Sequence, residues 1–168
     1  YYDKLIDDLN DPITKYLPDF KGTGYDGVPI KDILQMSSGV LFNEDYKDFN
    51  SDINRFSRSF AFGSSYTEFS KSLKRDKEPG TYCNYVSIDT QVLGILIARV
   101  TGKNLSEYLS EKIWEPLGME HEAQWMIDNE GNELSLGGMN ISLRDFAKLG
   151  QFYLHKGNWN GNQLLPVE

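Results

Sequence analysis

The strongest secondary-structure signal in the sequence is one apolar segment, residues 88–100. The rest of the chain must pack around it. Apolar side chains recur at helical spacing on one face and fill much of the other: Ile88, Val92, Ile95, Leu96 and Val100, then Leu93 and Ile97. A helix that is apolar nearly all round belongs inside a core. Gly102 follows the segment and is typical of the residue that ends a helix. The pattern therefore predicts a buried central helix.

The size and net charge of the chain limit the classes of protein to which it can belong. Its 168 residues correspond to about one domain, and a hydrophobic content of 39% excludes an intrinsically disordered chain. A net charge of -8 disfavours nucleic acid as a partner, since that affinity comes mainly from Lys and Arg. The longest apolar run, residues 92–98, is far shorter than the roughly 20 residues of a membrane span.

Both ends have the character of an internal piece. Position 1 is Tyr rather than Met, no signal segment precedes the first helical pattern, and the last four residues, 165–168, resemble the beginning of a helix. We therefore expect a longer protein. The single cysteine, Cys83, excludes an internal disulfide but leaves the compartment open.

The remaining periodicity predicts a mostly helical chain with a little sheet. Expected helices cover 5–17 (broken at Pro12), 29–36, 53–62, 66–73 and 105–114. A last helix is expected to begin after the cap residue Ser142, and its buried side would carry Phe146, Leu149, Phe152 and Tyr153. Residues 43–51 are polar and predict a loop. Segments 124–127 and 133–136 flank a turn of Asp, Asn and Gly residues, which predicts a hairpin.

Several local patterns are weak evidence for chemistry. Residues 22–27 spell G-x-G-x-x-G, but neither a preceding strand nor a following helix supports a dinucleotide site, so a loop is favoured. His121 and His155 lack metal-ligand spacing and are interpreted as structural or solvated. Cys83 has no histidine near it in sequence and is interpreted as a half-buried packing residue.

The segment just before the apolar helix is the better candidate. Tyr85 and Ser87 place a phenol and a hydroxyl two residues apart where a rigid element would hold them, as a catalytic site requires. The alternative is that Tyr85 is a core aromatic and Ser87 is a helix cap. The residues alone leave both interpretations open.

Five segments in order carry a family resemblance. They are 11–18 (D-P-I-T-K-Y-L-P), 30–39 (I-K-D-I-L-Q-M-S-S-G), 79–81 (P-G-T) followed by Tyr85 and Gly94, 114–119 (W-E-P-L-G-M), and 137–147 (G-G-M-N-I-S-L-R-D-F-A). Together they resemble landmarks of the serine β-lactamase, penicillin-binding-protein and esterase superfamily. The branch concerned includes class C β-lactamases, DD-peptidases, esterases and 6-aminohexanoate-dimer hydrolases.

The resemblance implies an α/β (α+β) protein with the β-lactamase/transpeptidase-like fold. Residues 1–168 would be the central part of a single catalytic domain, truncated at both ends: mainly its helical region, with a short β-hairpin. It also implies acyl transfer, in which a serine of an S-x-x-K motif attacks the substrate carbonyl. Tyr85 falls on the tyrosine of the family's Y-x-N motif, as catalytic base or proton shuttle. Ser87 falls on the third position, as a substrate-binding or lysine contact.

In that family the tyrosine depends on a lysine. A free phenol has a pKa near 10, and a neighbouring ammonium lowers that pKa so that the phenolate can act as a base. No S-x-x-K or K-T-G motif occurs in the 168 residues. The resemblance places the nucleophile before Tyr1 and the last motif after Glu168.

The implied substrate is a small molecule with an amide or ester bond. No metal or organic cofactor, no nucleic acid and no membrane span is implied, and oligomeric state and localisation stay open. Two rivals remain: a β-lactamase-like pseudoenzyme that serves as a binding module, and a complete helical interaction protein. If the chain is the central part of a serine hydrolase, the 168 residues alone should fold poorly and be inactive.

Overall fold

A computed structural model describes residues 1–59 and 63–167. The helices are α1 (Ile30–Leu34), α2 (Asp52–Ser59), α3 (Tyr66–Ser72), α4 (Ser87–Thr101), α5 (Leu105–Leu109) and α6 (Leu143–Leu154). Two antiparallel pairs supply the sheet: β1 (Gln124–Trp125) with β2 (Met139–Asn140), and β3 (Asn158–Trp159) with β4 (Asn162–Gln163). The expected mostly helical chain with little sheet is confirmed.

The central helix is confirmed as α4, which ends at Gly102 in the left-handed conformation with φ 67°. Its inward face joins the core through buried residues that include Ile88, Val92 and Leu96, and α4 packs against α1 and α3. The opposite face is different. Ile97 is 36% exposed and, with the half-buried Leu93, lines an apolar groove of about 520 Å³ bordered by α5 and both chain ends. In the described part of the chain, the outer face of α4 is therefore only partly buried, which corrects the expectation of a helix that is buried nearly all round.

Over residues 5–17 the sequence predicts a short helix, a break at Pro12 and one turn of helix. The short helix before Pro12 is not formed, whereas the turn after it is present as a 3-10 turn, Ile13–Lys15, and a second 3-10 turn, Pro18–Phe20, follows. The carboxylates of Asp8 and Asp11 accept hydrogen bonds from the backbone N–H groups of Asn10 (2.8 Å) and Asp8 (3.2 Å). Such local bonds compete with a helical ladder.

The expected hairpin is half correct. The turn at 128–132 forms, with the Asp128 carboxylate accepting from the N–H groups of Glu130 and Asn132. The two arms pair next to this turn, where Ile127 and Glu133 form an antiparallel bridge and the Leu134 N–H donates to the Met126 carbonyl (2.9 Å). The ladder goes no further: the Ser135 N–H donates to the side-chain oxygen of Gln91 in α4 (2.9 Å), and the Gln91 amide donates to the Glu133 carbonyl (3.0 Å). The first arm, β1, pairs with β2 instead.

The other helices follow the sequence closely. The cap at Ser142 is confirmed by its side chain accepting from the Asp145 N–H, but only Phe152 of the expected buried side of α6 is fully buried. Phe146 and Tyr153 are 61% and 76% exposed, so that expectation was wrong. The expected 105–114 helix forms as α5 and continues as a π-helical turn, Ser110–Trp114. The end of the predicted 53–62 helix, residues 60–62, lies outside the described residues.

The close approach of α4 to residues 134–136 gives a test of the packing. A Cβ at Gly94 would lie 2.2 Å from Ser135 Oγ and 2.5 Å from Ser135 Cβ. We expect Gly94→Ala to lower the free energy of unfolding by about 1–3 kcal/mol, measured by urea denaturation of the whole protein. Gly150→Ala in α6, where a Cβ meets nothing within 4 Å, should instead raise it by up to about 1 kcal/mol. Equal effects of the two substitutions would contradict this packing.

Candidate functional site

Tyr85 and Ser87 come together at the first turn of α4. Tyr85 precedes the helix and is 65% exposed, whereas Ser87 is the first helical residue and is 4% exposed. The Ser87 hydroxyl donates to Tyr85 Oη over 3.5 Å. Tyr85 is therefore not a core aromatic. Ser87 is not the cap of the helix either, because Val86 occupies the cap position. The Val86 side chain makes no capping hydrogen bond.

The segment that carries Tyr85 is held against the turn that follows α1. The N–H groups of Gly80 and Asn84 donate to the carbonyls of Ser37 and Met36, both at 2.8 Å. The approach depends on Gly39, with φ 74°, because a Cβ there would lie 2.1 Å from the Lys77 carbonyl oxygen. The S-S-G sequence at 37–39 thus lets two chain segments meet directly beside the candidate site.

Cys83 belongs to this segment but is exposed rather than half-buried, which corrects the sequence-based interpretation. Its Sγ lies 3.6 Å from the carbonyl oxygen of Gln35. The contact adds one more link between the segment and α1. It brings no histidine or other base to the thiol.

Beneath the site lies a buried polar network. Asp89, with no exposed surface, accepts from the Tyr25 hydroxyl over 2.8 Å. Loss of solvation raises the pKa of Asp89 to about 6, although hydrogen bonds from Tyr25 and Ser38 oppose the rise. Burial and the neighbouring carboxylate in turn raise the pKa of Tyr25. The glycine-rich loop at 22–27 is a loop as expected, and it places Tyr25 under α4.

A further residue, Glu44, reaches the site from the loop before α2. One oxygen of its carboxylate accepts from the Ser87 N–H, and the other accepts from the Tyr46 hydroxyl over 3.4 Å. The sequence analysis assigned residues 43–51 as loop, which is confirmed, but did not select Glu44. Because the contact joins residues 43 apart in sequence, no local pattern signals it.

The two histidines do not join the site. His121 is exposed, with Nδ1 at 3.4 Å from the Asp145 carboxylate, and His155 follows the last residue of α6. Residues 155–157 form the turn between α6 and β3. Across residues 1–59 and 63–167, no cluster of His, Cys, Asp and Glu has the geometry of a metal site. None of the described helices is long and apolar enough to cross a membrane.

Comparison with known proteins places these features in context. Residues 6–161 match the family model described as Beta-lactamase. The 6-aminohexanoate-dimer hydrolase of Paenarthrobacter ureafaciens is 31% identical over 162 residues, which cover 92% of this chain and 41% of that protein.

Solved structures agree with this match. A provisionally named 6-aminohexanoate-dimer hydrolase from Bacillus anthracis superposes with a TM-score of 0.86 at 25% identity, over 99% of this chain and 46% of that one. A D-stereospecific amidohydrolase from Streptomyces sp. has a TM-score of 0.70 at 19% identity, over 98% and 56%. The chain thus has the β-lactamase/transpeptidase-like fold that the motifs implied, and it spans about half the length of these relatives.

The buried Asp89 carboxyl makes stability depend on pH. Its pKa is about 6 in the folded protein against an ordinary 3.8, so the folded state binds the extra proton between these values. The resulting stabilisation is complete below about pH 4 and is lost as pH rises through about 6, up to about 3 kcal/mol in all. We expect Asp89→Asn to flatten this part of the pH dependence in urea denaturation.

The exposed Asp76 provides the matched control for that measurement. Asp76→Asn should leave the slope of unfolding free energy against pH between 4 and 7 unchanged. Parallel curves for the wild type and Asp89→Asn would show that Asp89 does not titrate as described.

Proposed function

Because this chain belongs to the Beta-lactamase family, we propose that it is the central part of the catalytic domain of a serine hydrolase. The enzyme would cleave an amide or ester bond through an acyl-enzyme, with its Ser-x-x-Lys motif outside these 168 residues. The observation that carries the proposal is the exposed Tyr85 hydroxyl, set beside Ser87 Oγ at the start of a rigid, buried helix. That is where the family's catalytic tyrosine is expected.

The reaction would run in two steps. Tyr85, as phenolate beside the motif lysine, takes the proton of the serine hydroxyl while the serine oxygen attacks the substrate carbonyl. The carbon–nitrogen or carbon–oxygen bond breaks, and the proton passes to the leaving amine or alcohol. Tyr85 then takes a proton from water, whose oxygen attacks the ester carbonyl. The carbon–oxygen bond to the serine breaks, the proton passes from Tyr85 to the serine oxygen, and the acid is released.

Ser87 would support this chemistry through Tyr85. Its hydroxyl lies within reach of Tyr85 Oη, and burial of the rest of the residue fixes the direction of that hydroxyl. Ser87 stands where many relatives have Asn, which supplies two donors and an acceptor instead of one hydroxyl. We therefore assign Ser87 a contact with Tyr85 and with the motif lysine or the substrate.

The names of the relatives guide the choice of substrate. The Paenarthrobacter relative is named for hydrolysis of the 6-aminohexanoate dimer, and the Streptomyces structure is named a D-stereospecific amidohydrolase. We propose that the whole protein acts on a small-molecule amide or ester.

The first test is Tyr85→Phe in the whole gene product. Removing one hydroxyl should lower kcat for a linear amide or a p-nitrophenyl ester by about 10²–10⁴-fold, since the general base is lost. Tyr82→Phe, at a neighbouring exposed tyrosine, should change kcat little. A whole protein without turnover, or with turnover indifferent to Tyr85→Phe, would favour the pseudoenzyme alternative.

The second test uses the 168-residue chain by itself. It should hydrolyse neither a chromogenic cephalosporin nor a p-nitrophenyl ester, because it lacks the serine nucleophile. Circular dichroism should show a broad, weakly cooperative thermal transition, since the apolar groove on the outer face of α4 is open. Turnover that Tyr85→Phe abolishes in this isolated chain would show that the nucleophile lies within it.

A further inference from the structure

The loop that carries Glu44 is held in place by α2. The side-chain amide of Asn54 donates to the carbonyl oxygens of Asp48 (2.8 Å), Tyr46 (3.1 Å) and Asp45 (3.4 Å). One donor group thus closes the loop upon the helix. Such a loop can present a side chain in one orientation, as a functional position requires.

The base of the same loop is bonded to α2 as well. The N–H of Asn43 donates to the Asp52 carboxylate over 2.9 Å, and the N–H of Ile53 donates back to the Asn43 carbonyl over 3.1 Å. Ile53 is buried in the core. The residue immediately before Glu44 is therefore anchored to the hydrophobic interior through one helix.

Glu44 extends from this anchored loop to the start of another helix. The first N–H groups of a helix have no partner within it, and Val86 supplies no side-chain bond to the first turn of α4. Glu44 accepts from the Ser87 N–H, and its negative charge lies where the dipole of α4 favours one. The Glu44 carboxylate thus accepts a hydrogen bond from the first turn of α4, as the side chain of an N-cap residue does in other helices.

We propose that Glu44 is a positioning residue for the catalytic tyrosine, which rests on the function proposed above. The chain of contacts is short. Glu44 fixes the Ser87 backbone, and the Ser87 hydroxyl bonds Tyr85 Oη. Because Tyr85 is 65% exposed, packing does little to hold its ring, and the 3.5 Å contact with Ser87 Oγ links its hydroxyl to the backbone that Glu44 fixes. Displacement of a reacting group by about 1 Å can cost about 100-fold in rate.

The kinetic test uses the whole protein and two substitutions at one position. Glu44→Ala removes the acceptor, and we expect kcat per active site to fall by about 10- to 100-fold with KM changed less than threefold. Active sites are counted with a fluorophosphonate probe, which phosphonylates the serine with release of fluoride. Glu44→Gln keeps an oxygen that can accept from the Ser87 N–H, and its kcat should stay within about threefold of the wild type.

A purely structural role predicts a different outcome. Glu44→Ala would then lower the melting temperature and the number of titratable sites but leave kcat per titrated site unchanged, which would overturn the proposal. Glu122→Ala, at an exposed glutamate far along the chain, is the control and should change none of these quantities.

A second measurement does not depend on turnover. 3-Fluorotyrosine at position 85 of the whole protein should give one sharp ¹⁹F resonance, which Glu44→Ala shifts or broadens and Glu44→Gln and Glu122→Ala leave in place. An unchanged resonance in Glu44→Ala would refute the positioning role. If the protein proves inactive or insensitive to Tyr85→Phe, the proposed function fails, while the fluorine spectra still decide whether Glu44 holds Tyr85.

Discussion

Burial of the inward face of α4 is the interaction on which both the fold and the candidate site depend. Val92 and Ile88 have no exposed surface, and each such side chain contributes about 1.5–3 kcal/mol when it leaves water. A 15-residue helix is stiff, so fixing this face also fixes where its first turn points. Ser87 therefore takes its position from apolar packing further along the helix, and Tyr85 lies just before that fixed turn.

Two carboxylates then tie the first turn of α4 to other parts of the chain, and their environments give them different properties. Asp89 faces the core, where loss of solvation favours its protonated form below about pH 6. Glu44 is partly exposed and accepts from the Ser87 N–H at the positive end of the helix. The inner group ties α4 to the glycine-rich loop through Tyr25, and the outer group ties it to the loop before α2. The same turn is thus connected to two separate parts of the core.

Structural features that depend on residues close together in sequence could be predicted. Features that depend on hydrogen bonds between residues far apart in sequence could not. The central helix, its glycine stop and the cap at Ser142 follow from local spacing and are present. The expected pairing of 133–136 with 124–127 forms only next to the turn, and the Ser135 N–H bonds Gln91 of α4 instead, which no local pattern reveals. In the same way, motif spacing selected Tyr85 and Ser87, but Glu44 meets them only through folding.

The serine at the third motif position also has a consequence for chemistry. A hydroxyl carries one donor, and here Ser87 directs it to Tyr85 Oη. What remains toward a ligand is a pair of acceptor sites, which suit an ammonium group but cannot donate to a substrate carbonyl. An asparagine amide in the same place could donate to one partner and accept from another at once. Under the proposed function, Ser87 would therefore contact Tyr85 and accept from the motif lysine or from a donor group of the substrate, rather than donate to a substrate carbonyl.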